Sequence, residues 1–169
     1  MSYSRLVSTI AAVCVCAGLF AGSARAEEKP DYKGLYGGAG IGGGFFDSPN
    51  DGDFSWRMNV WWRPINYASL EIGYINAGRP GDHSEIDGLH VVAVPTLPLP
   101  MGFDVYGKLG GFFFGRNDGS DSNVAAGCGV AYRGWKGFGL RLDWDNLAVD
   151  DNDNINVLTL GVFYHFAKP

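Results

Sequence analysis

Cross-linking chemistry is nearly absent from this chain. Of its three cysteines, Cys14 and Cys16 fall in an apolar N-terminal run, and only Cys128 stands beyond it. No intramolecular disulfide can therefore hold the rest of the molecule together. Basic charge is also scarce: 13 Lys and Arg face 18 Asp and Glu, and two of the basic residues, Arg5 and Arg25, belong to the N-terminal run. An acidic surface repels phosphate backbones, which argues against nucleic acid as a partner. Beyond residue 26 no apolar run approaches the roughly 20 residues that a membrane helix needs. No stretch there has helical period either. A running hydropathy mean would make this part water-soluble, but such a mean is blind to a strand that is apolar on one side only.

What is present begins with an export signal. Met1 to Arg5 carries one positive charge, Leu6 to Gly22 is almost all small or apolar, and Ala24-Arg25-Ala26 offers an A-x-A cleavage site. Ser and Thr interrupt the run and small residues end it, which disfavours a membrane anchor. Neither Cys14 nor Cys16 follows a Leu-small-small triplet, which disfavours a lipoprotein. The predicted organisation is a cleavable signal peptide at 1–26 and a single domain at 27–169.

In that domain, period-two alternation dominates and glycine is abundant: of 26 glycines only Gly18 and Gly22 lie in the signal. The alternation predicts eight strands, at about 34–46, 54–63, 67–77, 87–97, 103–115, 123–133, 138–147 and 155–166. The connections differ by turns. Asp47–Asp53, Arg79–Glu85, Arg116–Ser122 and Ala148–Asn154 are polar and acidic, whereas Pro64–Asn66, Pro98–Gly102 and Gly134–Gly137 are tight and rich in Pro and Gly. An even-stranded antiparallel barrel has this rhythm, with short periplasmic turns at one rim and longer loops at the other. Pro95 predicts a bulge in the fourth strand or an early end to it.

Sorting the strands by parity separates two faces. One holds, among others, Leu35, Ile41, Phe54, Met58, Val60, Trp62, Leu70, Ile72, Leu89, Leu109, Val124, Cys128, Leu140, Leu160 and Val162, with no charge. The other holds Arg57, Arg63, Glu71, Asp104, Lys108, Arg133, Arg141, Asp143 and Asp145, with many glycines. A soluble barrel would turn the apolar face inward; a membrane barrel inverts it. Two features favour inversion. Aromatic residues cluster at both ends of the apolar face, with Phe54, Trp56, Tyr74 and Trp144 at one end and Trp62, Phe103, Tyr132, Phe138 and Tyr164 at the other. The charged face is nearly balanced in sign, as a closed interior requires. The fold expected is all-β: an eight-stranded antiparallel up-and-down transmembrane β-barrel.

Four segments also resemble a known family. Phe103-Asp-Val-Tyr-Gly-Lys-Leu-Gly110, Asp121-Ser-Asn-Val-Ala-Ala-Gly-Cys-Gly-Val-Ala-Tyr132, Gly139-Leu-Arg-Leu-Asp-Trp144 and Leu158-Thr-Leu-Gly-Val-Phe-Tyr-His-Phe166 are similar to the transmembrane domain of outer membrane protein A and its porin-like opacity relatives. The likeness runs through the domain, is strongest in its C-terminal half, and lies in the order of segments. It implies residence in the outer membrane, contact with outer-membrane lipid and lipopolysaccharide, and insertion by the barrel-assembly machinery. The terminal aromatic, Phe166, stands three residues short of the last one, a departure from many outer-membrane proteins.

The interior charge network predicted is Arg57, Glu71, Lys108, Arg141, Asp143 and Asp145. Of these, Glu71, Lys108, Arg141 and Asp143 fall at similar depth, and an eight-stranded barrel is narrow enough for long side chains to meet across it. The resemblance implies an ionic gate in a narrow water path; a structural polar plug is the simpler reading and the preferred one. His83-Ser84-Glu85 and His90 are the residues an outer-membrane lipid A-modifying enzyme would use, but they come without an elbow or an oxyanion element. The acidic loops could bridge divalent cations to lipopolysaccharide phosphates; solubilising charge explains them more simply. Asp150–Asn154 lacks the glycine and glutamate of a calcium loop, and the glycines of Gly37–Gly44 are followed by no Lys and no helix, which excludes a nucleotide site. No cofactor or metal is expected. The functional expectation is a structural, envelope-integrity barrel with at most a small, inefficient pore. Its rivals are a surface binding module (an adhesin or immune-evasion barrel) and, third, the lipid-modifying enzyme.

Overall fold

A computed structural model of the chain describes residues 32–45, 52–79, 85–116, 119–148 and 154–167. The export signal and most of the long acidic loops lie outside the described residues. The strands are β1 (Gly34–Phe45), β2 (Asp53–Ile65), β3 (Ala68–Asn76), β4 (Asp87–Pro98), β5 (Phe103–Arg116), β6 (Gly119–Arg133), β7 (Phe138–Ala148) and β8 (Asn154–Ala167). Each pairs antiparallel with the next, and β1 pairs with β8 to close the sheet. Closure removes both sheet edges, so every strand finds its backbone partners without water. No helix among the described residues is long and apolar enough to cross a membrane.

The alternation that marks the strands also orients them. None of the apolar-face residues named above is buried, and many are about half exposed, such as Leu109 at 62% and Val124 at 59%. The opposite face turns inward: Arg57, Arg63, Glu71, Asp104, Lys108, Arg141, Asp143 and Asp145 are all buried, and Arg133 is nearly so. The barrel is thus apolar outside and charged inside. Aromatic pairs sit at both ends of its outer wall, Trp56 with Tyr74 at the long-loop end, and Phe103 with Tyr132 and Phe138 with Tyr164 at the short-turn end.

Three departures from the sequence reading have local causes. β6 begins at Gly119 rather than near Asn123, because Ser120, Asp121 and Ser122 continue the ladder with Gly115, Phe114 and Phe113 of β5. β2 runs through Pro64 to Ile65, where its register against β3 shifts between Trp62 and Ile65. Pro95 neither bulges nor ends β4. The register against β5 is the same on both sides of it, with Ala93 opposite Leu109 and Thr96 opposite Tyr106. The Thr96 N–H donates to Tyr67 O of the β3 side at 2.8 Å. The nitrogen of Pro95 therefore faces β5, and the ladder there skips one rung without changing step.

At the short-turn end, tight one-turn segments carry the chain across. In Pro100–Gly102 and Trp135–Gly137 the last two residues adopt left-handed φ values, 63° and 83° for Met101 and Gly102, 55° and 86° for Lys136 and Gly137. Glycine takes the second of these positions without penalty. The Leu99 and Gly134 N–H groups close the two turns onto Phe103 O and Phe138 O, each at 2.8 Å.

Candidate functional site: the charged lumen

Inward parity delivers the charges to one place because inward glycines lie between them. Lys108 and Asp145 both pair laterally with Gly127, and Tyr106 and Asp143 both pair with Gly129. A Cβ on Gly129 would come within 2.5 Å of the Tyr106 hydroxyl, and one on Gly127 within 2.9 Å of an Asp145 oxygen. Removing the intervening side chain lets residues two strands apart touch, which a continuous row of side chains would forbid.

All six residues of the predicted set, Arg57, Glu71, Lys108, Arg141, Asp143 and Asp145, meet in a single cluster. Arg57 bridges Glu71 at 2.7 Å and Asp145 at 2.6 Å. Arg141 donates through Nε to Asp143 at 2.7 Å and through Nη1 to Glu71 at 2.9 Å. The Lys108 ammonium sits 2.5 Å from Asp143 and 2.9 Å from Asp145. Three cations thus face three carboxylates, each carboxylate touched by at least two of them. Tyr106 donates to Asp143 at 2.9 Å, and its ring lies 5.2 Å from the Arg141 guanidinium, which also lies 4.8 Å from the Trp61 ring. The cluster is closed to solvent, with Glu71 and Asp143 each 1% exposed.

Several members of the lumen were not placed there by the sequence reading. His90, considered above as a catalytic base, instead turns inward and places Nε2 3.1 Å from a Glu71 oxygen. His83 and Ser84, its proposed companions, lie outside the described residues. Glu85 accepts from Asn76 at 2.7 Å and from Arg79 at 3.3 Å on the long-loop rim. Those two donors hold its carboxyl below the usual carboxylate range. The inward face is also less polar than the charges alone suggest. Nearer the long-loop rim on β3, β5 and β7 stand Ile75, Phe112, Phe114 and Leu147, joined by Ile155 and Val157 of β8, all 3% exposed or less. Phe112 and Phe114 stack at 5.3 Å. These residues share parity with the charges, so the signal was present; an apolar residue at an inward position is inconspicuous next to an arginine.

Towards the short-turn end lies a second, smaller cluster. Arg63 bridges Asp104 at 2.9 Å, Arg133 contacts the same carboxylate oxygen, and the Tyr32 ring lies 3.5 Å from the Arg133 guanidinium. Between the two clusters is a cavity of about 30 Å³, room for one or two waters when a single water needs roughly 10–15 Å³. Lumen order from the short-turn end is therefore arginine pair, small polar cavity, ionic cluster, apolar layer. Among the described residues, no group of three or more His, Cys, Asp or Glu is placed to hold a metal ion.

The architecture has known counterparts. The model of the OmpA-like transmembrane domain family matches residues 31–169. Among solved structures, the attachment invasion locus protein Ail of Yersinia pestis superposes with a TM-score of 0.57 at 16% identity, over 79% of this chain and 99% of that one. The N-terminal barrel of Pseudomonas aeruginosa OprF gives 0.57 at 13% identity, over 79% and 98%. Neisserial surface protein A gives 0.58 at 16% identity, over 78% and 97%. At these identities the likeness speaks for the fold alone. No curated protein matches the sequence significantly.

Proposed function

Because the chain belongs to the OmpA-like transmembrane domain family, and is with that family an outer-membrane β-barrel, we propose that its role is structural: it reinforces the envelope and conducts at most poorly. The observation that carries this reading is the sequence of layers in the lumen. A charge-balanced cluster of three cations and three carboxylates bridges the lumen between β2, β3, β5 and β7, and the apolar layer of Phe112, Phe114, Leu147 and Ile155 lies toward the long-loop rim. An ion travelling the axis would have to break the first and shed its water in the second. The outer wall would meet outer-membrane lipid and lipopolysaccharide, and insertion would use the barrel-assembly machinery. The reading assigns no catalytic residue, since His90 is engaged with Glu71 inside the barrel.

A second reading, a surface binding module, draws on the likeness to Ail, a structure of which has been solved with the heparin analogue sucrose octasulfate. The loops here oppose that ligand chemistry: Asp47, Asp51, Asp82, Asp118, Asp150, Asp151 and Asp153 are acidic, and repulsion from a polysulfate follows. Planar-bilayer recording of the purified protein tests the structural reading. Rare, irregular events are expected, whereas a regular open channel from the unaltered barrel excludes it.

A further inference from the structure

The arginine pair at the short-turn end poses a charge problem that the central cluster does not. There three cations are matched by three carboxylates. Here Arg63 and Arg133, reaching in from β2 and β6, converge on a single oxygen of Asp104. Among the described residues no second carboxylate reaches either guanidinium. Arg63 and Asp104 are each 4% exposed and the Arg133 side chain 13%, so the excess positive charge is largely withdrawn from bulk water, and an unmatched charge so placed is costly. Hydrogen-bonding capacity is left over as well. Arg63 Nε and Arg133 Nη1 on the donor side, and Asp104 Oδ1 on the acceptor side, are buried and have no hydrogen-bond partner among the described residues. Both arginines line the cavity of about 30 Å³, with Arg141 on its far wall. The Tyr32 ring lies against both guanidiniums, 3.5 Å from Arg133 and 5.6 Å from Arg63.

A small volume, surplus positive charge and unused guanidinium donors define a ligand class. We infer that this chamber binds one small monovalent inorganic anion of halide size, held by Arg63 and Arg133. The size follows from the cavity, which admits one or two water-sized guests and so fits a halide better than the four oxygens of a sulfate or phosphate. The charge follows from the count: one monovalent anion brings the Arg63, Arg133 and Asp104 group to neutrality. Guanidinium suits the task because it presents several donors in a fixed plane and cannot be discharged by losing a proton. The inference is independent of whether the barrel conducts.

The test is a set of urea titrations of the purified protein in detergent at constant ionic strength, with sodium gluconate exchanged for sodium chloride, bromide or sulfate. A ligand that binds only the folded state raises the midpoint, and does so saturably. Chloride and bromide are expected to raise it and sulfate to match gluconate. Arg133→Gln should abolish the halide response, while Arg79→Gln, on the exposed rim, should keep it. Asp104→Asn removes the competing carboxylate and should make the response steeper, which keeps the idea falsifiable if Arg133→Gln folds poorly. Crystals grown in bromide should show an anomalous peak between Arg63 and Arg133. Equal midpoints in all four salts, a sulfate effect as large as chloride's, or an unchanged halide response in Arg133→Gln overturns the inference.

Discussion

Arg141 is the residue on which the central cluster turns, since it ties Glu71 on β3 to Asp143 on β7 at 2.9 and 2.6 Å, shorter together than the same link through Arg57 or Lys108, while its plane rests near Trp61 and Tyr106. Arg141→Ala leaves Arg57 and Lys108 to face three carboxylates. Breaking one partner of a buried set costs about 3–5 kcal/mol, so the urea midpoint in detergent should drop. Asp143→Ala should cost a comparable amount, and the double variant less than the sum, because the second substitution removes a charge that the first has already stranded. Additive and nearly silent single variants would mean that the cluster contributes nothing. The glycines make a parallel prediction at smaller scale. Gly129→Ala places a methyl group where the Tyr106 hydroxyl now lies, and should cost about 1–3 kcal/mol through forced displacement. Tyr106→Phe in the same background should recover only part of that loss, since it removes the hydroxyl but leaves the ring carbon and the Leu142 carbonyl, each 2.6 Å from the methyl position.

Among the elements, β6 gives the cleanest check of facing. Cys128 lies opposite Gly107 and Trp144 on the outward parity of the strand, in phase with Val124 and Val130, which are 59% and 42% exposed. In folded protein it should resist a membrane-impermeant thiol reagent and react after unfolding. Rapid labelling from the aqueous side would put the strand one residue out of phase and flip every side chain on it. Facing is also what the sequence reveals most fully, for a physical reason: lipid tolerates no charge, so the outward positions of all eight strands are constrained, and parity follows. Strand ends are less legible. β6 starts early because Ser120 to Ser122 can pair as well as form a loop, and polar residues do not announce which. Pro95 misleads in the opposite direction, because the effect of a proline depends on which neighbour its nitrogen faces, and parity within a strand does not report that. In the lumen, charges advertise themselves, so Arg57, Glu71, Lys108, Arg141, Asp143 and Asp145 stand out from the sequence. The apolar layer does not: Phe112 and Ile75 share parity with Lys108 and Glu71, but an apolar residue on an inward face carries nothing that marks it as a layer of its own.

For the whole molecule the question is which of the stacked layers closes the axis. If the ionic cluster is the barrier, shortening Arg141 opens a path. The order of layers argues otherwise, because Ile75, Phe112, Phe114, Leu147, Ile155 and Val157 remain in place beyond the cluster whatever happens to Arg141. A tightly packed apolar layer excludes water, and an ion crossing it would do so without compensation for its lost hydration. Arg141→Ala should therefore lower stability without producing a regular conductance in planar bilayers. Phe112→Ala alone should also stay closed, since the ionic cluster still spans the lumen below it. Combining Arg141→Ala with Phe112→Ala breaches both layers along one axis, and the double variant is where a regular conductance should first appear. The readout separates the two barriers. Conductance in Arg141→Ala alone would make the charges a gate and the apolar residues mere filling. Silence in the double variant, with the protein shown folded by its heat-modifiable migration, would mean that the remaining side chains collapse to refill the lumen.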